Sequence, residues 1–111
     1  MATQFAQVQL YGNIATGPIV RYKTSGVPVA SMSISVQPEG QGWTNYFDVI
    51  AVGYFAGTVA ENFHQGQSVT VEGRLVQQRW EVKGGAKKQR MVIEAQRILV
   101  DGQIVTESSP R

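Results

Sequence analysis

Residues Tyr46–Leu75 read YFDVIAVGYFAGTVAENFHQGQSVTVEGRL, and within them the spacing of apolar residues changes twice. From Tyr46 to Gly53, Phe47, Val49 and Ala51 alternate with Tyr46 and Asp48, the period of two of a half-buried strand. From Tyr54 to His64, Phe55, Val59 and Phe63 recur at every fourth position and form one apolar stripe on a short helix. From Ser68 the period returns to two, with Val69, Val71, Gly73 and Leu75 on one face and Glu72, Arg74, Val76, Gln78, Trp80 and Val82 on the other. A lone helix between strands is therefore expected. Gly66 is expected to cap its C-terminus, and Gly57 inside it weakens it by about 1 kcal/mol relative to Ala.

Working outward, the rest of the chain also reads as strands. Val8, Leu10, Gly12 and Ile14 alternate with Gln7, Gln9, Tyr11 and Asn13 over Ala6–Ile14. Gly17-Pro18 and Thr24-Ser25-Gly26 read as turns. A second strand covers Pro28–Val36, where Ala30, Met32, Ile34 and Val36 alternate with Ser31, Ser33 and Ser35. A polar, glycine-rich loop follows from Gln37 to Asn45 and carries Trp43. The strand starting at Ser68 runs to about Val82, and Lys83-Gly84-Gly85-Ala86-Lys87 forms a tight hairpin connection, since adjacent glycines tolerate positive φ. A last strand runs from Lys88 to about Ile98.

Three strands, a helix and two strands predict an all-β chain. Closure removes open edges, so the expected architecture is a five-stranded Greek-key OB-fold barrel with one short helix between strands three and four. The expected organisation is one domain over residues 1–100 and a short, frayed polar tail over residues 101–111. Such barrels commonly hold oligonucleotides or oligosaccharides, but fold alone does not give function.

Composition narrows the choice. The chain has 111 residues, 42% hydrophobic and 16% charged, which suits one hydrophobic core. There is no cysteine, so disulfides and thiolate chemistry are out. No apolar run reaches the ~20 residues needed to span a membrane, and no secretory signal is read at the N-terminus. Net charge is only +2, but its distribution is uneven. Arg74, Arg79, Lys83, Lys87, Lys88, Arg90 and Arg97 crowd the final third against Glu72, Glu81 and Glu94. Such a stripe suits a polyanionic partner; it also suits a hairpin kept soluble by solvated lysines.

Trp80 falls among polar neighbours on its strand, beside Arg74 and Gln78 if no bulge intervenes. There it is a stacking platform for a base; a bulge or a neighbouring subunit would bury it instead. Tyr46 shares the face of Asp48 and either stacks a base or caps the barrel rim. Trp43 either closes over a ligand or covers an apolar patch. Candidate phosphate contacts are Arg21, Lys23, Arg74, Arg79, Lys83, Lys87, Lys88 and Arg90, of which mid-strand Arg74 has the best-defined position. No catalytic centre, metal site or cofactor is expected, because His64 is the only histidine and Gly40-Gln41-Gly42 lacks the setting of a dinucleotide-binding turn.

Over Val8–Ile98 the chain resembles the bacterial single-stranded DNA-binding protein family. The resemblance rests on Gly12-Asn13-Ile14, Pro18-Ile19-Val20-Arg21-Tyr22, Gly26-Val27-Pro28-Val29-Ala30, Tyr46-Phe47-Asp48-Val49 with Gly53, Ala56, Ala60 and Glu61, and Gly66–Leu75 with Trp80. It implies an OB-fold, usually as a homotetramer with DNA wrapped outside. By position it implies stacking at Tyr46 and Trp80, basic contacts at Arg21 and Arg74, and a loop role for Trp43. Val52 departs from the large aromatic usual there, and Tyr54 or Phe55 is a substitute. The family's long linker and acidic tip are not found before Arg111, so weak recruitment of replication proteins is expected.

The expected function is sequence-tolerant binding, protection and unfolding of single-stranded DNA in replication, recombination and repair, without catalysis. A homo-oligomer is expected through the outer side of the first strand, at Gln7, Gln9 and Tyr11. The expected setting is the cytoplasm, on the nucleoid, and an organelle also suits. Three rivals stand beside this reading: a dimeric primosomal accessory protein that docks a helicase, a protein- or oligosaccharide-binding OB module, and a metal-dependent nuclease.

Overall fold

The computed structural model describes residues 4–100 and the backbone of 103–107. Its elements are β1 Gln7–Tyr22, β2 Pro28–Val36, β3 Asn45–Val52, α1 Tyr54–Asn62, β4 Ser68–Glu81, β5 Lys87–Val100 and β6 Gln103–Glu107. The strands lie in the order β3-β2-β1-β4-β5-β6, and a parallel pairing of β3 with β5 (Val49 with Ile93, Ile50 with Glu94) closes the first five into a barrel. This is the expected OB-fold, with the helix between β3 and β4.

Alternation builds the core. Ile14 from β1, Ile34 from β2, Val49 from β3, Val69 and Val71 from β4 and Ile98 from β5 are all essentially inaccessible. The helical stripe Phe55, Val59 and Phe63 is buried on this core as its spacing demands, with α1 packed on β1, β2, β3 and β6. The helix stops at Asn62 because Phe63 turns extended (φ −127°) to enter the core. Gly66 is therefore not its cap. It sits one turn later at φ 93°, its N–H donating to the Ile14 carbonyl.

The first strand is longer than expected. Gly17-Pro18, read as a turn, lies within β1, where the register against β2 shifts between Ile14 and Thr16 and again between Thr16 and Ile19. Gly17 has φ 87°, and a Cβ there would sit 2.6 Å from the Ser31 carbonyl oxygen. Proline has no N–H to give the ladder, so the chain bulges and bends rather than reversing. The bend lets one strand serve two neighbours. Gln7–Asn13 pair with β4, and Asn13–Tyr22 pair with β2. Where β1 crosses β2, Gly12 leaves no room for a side chain, since a Cβ would run into the Ser35 carbonyl.

The hairpin turn forms as read, with Gly84 and Gly85 at φ 98° and 89°. Beyond Arg74, the last β4 residue in the β1 register, Val76–Glu81 pair only with Lys87–Val92. Among the described residues this two-stranded arm pairs with no further strand.

The chain departs from expectation again at its end. Gln103–Glu107, read as part of a frayed tail, form β6 antiparallel to Arg97–Val100 of β5. The β-branched run Ile104-Val105-Thr106 favours a strand, and β5 beyond Glu94 offers it an edge that β3 leaves free. Residues 101–102 and 108–111, the rest of that expected tail, lie outside the described residues.

Candidate nucleic-acid interface

The outward positions of β2 and β3 form cross-strand rows. Ser35 stands beside Tyr46, Ser33 beside Asp48, Ser31 beside Ile50, which is itself buried, and Val29 beside Val52. The serines are too short to cover their neighbours, so the Tyr46 ring stays 66% exposed. Val52 is half-buried beside Val29 and offers an apolar floor rather than a stacking face.

The arm carries the second aromatic. The single register shift between β4 and β5 falls opposite Glu72 and Gly73, where Gln96 of β5 is the unpaired residue. β4 thus keeps its alternation, and Trp80 lands on the side of Arg74 and Gln78. It lies opposite Lys88 and is 45% exposed, which rules out the buried alternative within this chain. Beside it is a shallow cleft of about 470 Å³ lined by Arg79, Trp80, Glu81, Lys87, Lys88 and Gln89.

Arg90 joins the two surfaces. Its Nε donates to Gln78 Oε1 at 3.2 Å across the arm, and its Nη1 lies 3.5 Å from Asp48 Oδ2 on β3. Asp48 is two residues from Tyr46 on the same side of β3, and Arg90 is two from Lys88 on the same side of β5. The contact therefore makes one continuous surface of Tyr46, Asp48, Arg90, Lys88 and Trp80.

The other expected residues are placed less uniformly. Arg74 faces outward but is held by Glu94, its Nε donating to Oε1 at 2.8 Å, so its charge is largely answered within the protein. Arg79 lies on the opposite side of β4 from Trp80 and donates to Gln77 Oε1 at 3.0 Å. Lys83 and Lys87 are exposed at and next to the hairpin turn. Trp43 is 65% exposed in the β2–β3 loop.

Arg21 and Tyr54 lie at the other end of the β2–β3 face. Arg21 is in the row of Val29 and Val52. Tyr54, 91% exposed, opens α1 over a cleft of about 270 Å³ lined also by Pro28, Gly53, Gly57, Thr58 and Glu61. Tyr22, 72% exposed and paired with Pro28, joins this end, and nothing in the local sequence marks it. Its signal was hidden by the bulges, which break the alternation leading to it.

Gln7, Gln9 and Tyr11 occupy a free edge. The Leu75 N–H donates to the Ala6 carbonyl and the Ile14 N–H to the Gln67 carbonyl, so even-numbered residues of this stretch face β4. The backbone groups of Gln7, Gln9 and Tyr11 point the other way, and among the described residues β2 pairs with β1 only from Asn13 onward. Their side chains lie on the outer face, where Gln9 Nε2 donates to Glu72 Oε2 at 2.9 Å and Arg97 reaches Glu72 Oε1 at 3.2 Å.

No polar or charged side chain is buried among the described residues, and no three of their His, Asp or Glu side chains cluster as a metal site. No helix among them is long and apolar enough to cross a membrane. The candidate site is thus an open, mixed aromatic and basic surface. Such a surface suits a long polymer with flat faces and a charged backbone.

Comparison with known proteins agrees. A solved structure of a mitochondrial single-stranded DNA-binding protein from S. cerevisiae superposes with a TM-score of 0.69 over 91% of this chain and 99% of that one, at 20% identity, a likeness of fold. The chain is 33% identical over 101 residues to a single-stranded DNA-binding protein of Aquifex aeolicus, covering 84% of this chain and 69% of the relative. It is 30% identical over 91 residues to one of Thermotoga maritima, covering 76% and 64%. A third, from Deinococcus radiodurans, is 30% identical over 105 residues, and there the match spans 88% of this chain but 35% of the relative. The chain thus matches only part of the length of these relatives. The profile of the single-strand binding protein family matches residues 5–108, nearly the whole sequence, and the chain belongs to that family.

Proposed function

We propose that this chain binds single-stranded DNA with little regard to sequence, stacking bases on Trp80 and Tyr46 and meeting phosphates with Lys88, Arg90, Lys87, Lys83 and Arg79. Trp43, Arg74 and the Arg21–Tyr54 end of the face extend the path of a longer strand. The observation that carries this reading is the contact of Arg90 with Asp48, which joins the exposed Trp80 and Tyr46 into one surface. Each base–aromatic stack contributes about 1–3 kcal/mol. Every base has a π-face, so such stacking tolerates any sequence. Binding to the single strand alone draws hairpins open by mass action, and no catalytic step is involved. We place this activity on the nucleoid in the cytoplasm, in replication, recombination and repair.

Tryptophan fluorescence during titration with oligo-dT tests the reading. Strong quenching by the single strand, little response to duplex and affinity that falls with salt are expected. Quenching that is absent at low salt overturns it.

The same reading includes assembly into a homo-oligomer. The unpaired groups of Gln7, Gln9 and Tyr11 form a strand edge ready to pair with a copy of itself. Sedimentation at micromolar concentration is expected to give a species heavier than the monomer; a stable monomer overturns this part.

A further inference from the structure

We propose that Asp48 is an internal competitor for Arg90, holding its guanidinium off a phosphate so that the surface binds single strands less tightly than its cations allow. The inference rests on the DNA-binding reading and assigns a role to a residue that stacks no base and attracts no phosphate. Among the described residues of β2 and β3, Asp48 is the only carboxylate; the arm adds Glu81, which pairs across the hairpin with Lys87 and not with Arg90. It is two residues from Tyr46 on the same side of β3, and its Oδ2 lies 3.5 Å from Arg90 Nη1.

The pair has little structural work to do. The side chains are 47% and 53% exposed, and exposed ion pairs add little to stability. Arg90 is also oriented without Asp48, because its Nε donates to Gln78 Oε1. Closure of the barrel is likewise carried by the backbone pairing of Val49 and Ile50 with Ile93 and Glu94. Asp48 instead answers the charge of Arg90 at the place where a DNA backbone would pass. A phosphate bound there must displace the carboxylate and then tolerate it as a neighbouring like charge. Removing the acid frees one cation and one repulsion together.

The test compares Asp48→Asn, Arg90→Gln and the double variant in oligo-dT titrations at about 50 and 200 mM salt, with melting curves confirming that each is folded. Asp48→Asn should bind about two- to five-fold more tightly at the lower salt. Its salt slope should steepen by ~0.7, one extra phosphate contact, so the gain should shrink to about twofold or less at the higher salt. In the Arg90→Gln background the gain from Asp48→Asn should vanish. A clasp that merely held the arm against β3 predicts the reverse, weaker binding by Asp48→Asn, and that result overturns the proposal. So does unchanged affinity at the lower salt, and so does a gain that persists in full without Arg90, which would mark Asp48 as background charge. Failure of the unsubstituted protein to bind oligo-dT is seen before any variant is compared; it overturns the DNA-binding reading, and this inference with it.

Discussion

Trp80 on β4 stands directly opposite Lys88 on β5, so a flat aromatic face and a cation occupy one cross-strand pair on an arm that pairs with no third strand among the described residues. A nucleotide needs both, a surface for its base and a charge for its phosphate. Trp80→Ala should lower affinity for oligo-dT by between about 5- and 150-fold, the equivalent of one lost stack, and should remove most of the fluorescence quenching. Trp43→Phe, in the loop, should leave most of the quenching in place. Titration of both variants checks the pair.

Lys87 and Lys88 are exposed on the arm and in no ion pair among those described. Replacing both with Gln should make the plot of log affinity against log salt shallower by about 1.4, two contacts at ~0.7 each. Arg74→Gln should change the slope less, because Glu94 already answers that charge. Titrations at four or five salt concentrations separate the two cases.

Two glycines should respond oppositely to alanine. Gly12 meets the Ser35 carbonyl and has Val36 Cγ2 2.9 Å from any added Cβ, so Gly12→Ala should destabilise the fold by about 1–3 kcal/mol. Gly57 has nothing within 4 Å on the outer side of α1, so Gly57→Ala should stabilise by up to about 1 kcal/mol. Each kcal/mol moves the melting temperature of a domain this size by roughly 4–8 °C, easily read by circular dichroism.

Gln9→Pro should weaken self-association while leaving the monomer fold in place. The Gln9 N–H lies on the free edge of β1 and not in the β4 ladder, so proline removes a donor that only a second copy would use. Sedimentation over a concentration series should show dissociation at higher protein concentration than for the unsubstituted chain.

The barrel was legible in the sequence because its signals are local. Phe55, Val59 and Phe63 announce a helix within nine residues, and Gly84-Gly85 announce a hairpin on their own. The errors lie where a distant strand decides. Gly17-Pro18 look like a turn until Ser31 is known to lie against Gly17. Ile104-Val105-Thr106 are too short a run to read as a strand without the free edge of β5. Within the candidate site, alternation placed Trp80 and Tyr46 on outward faces. It was silent on Glu94, which meets Arg74 through the β4–β5 register set by a bulge at Gln96, and on Asp48, which meets Arg90 through barrel closure.

That closure also divides the surface. β3 and β5 meet through two register pairs only, the shortest junction among the described strands, so parting there breaks the fewest hydrogen bonds. Tyr46 and Asp48 ride on one leaf of the opening, and Arg90 and Trp80 on the other. A single strand bound across both is a suture: it ties the leaves at the line where the barrel breathes. The amides of Ile50 and Ile93, which face across this junction, should therefore exchange with solvent early in the free protein and slow most when DNA is bound.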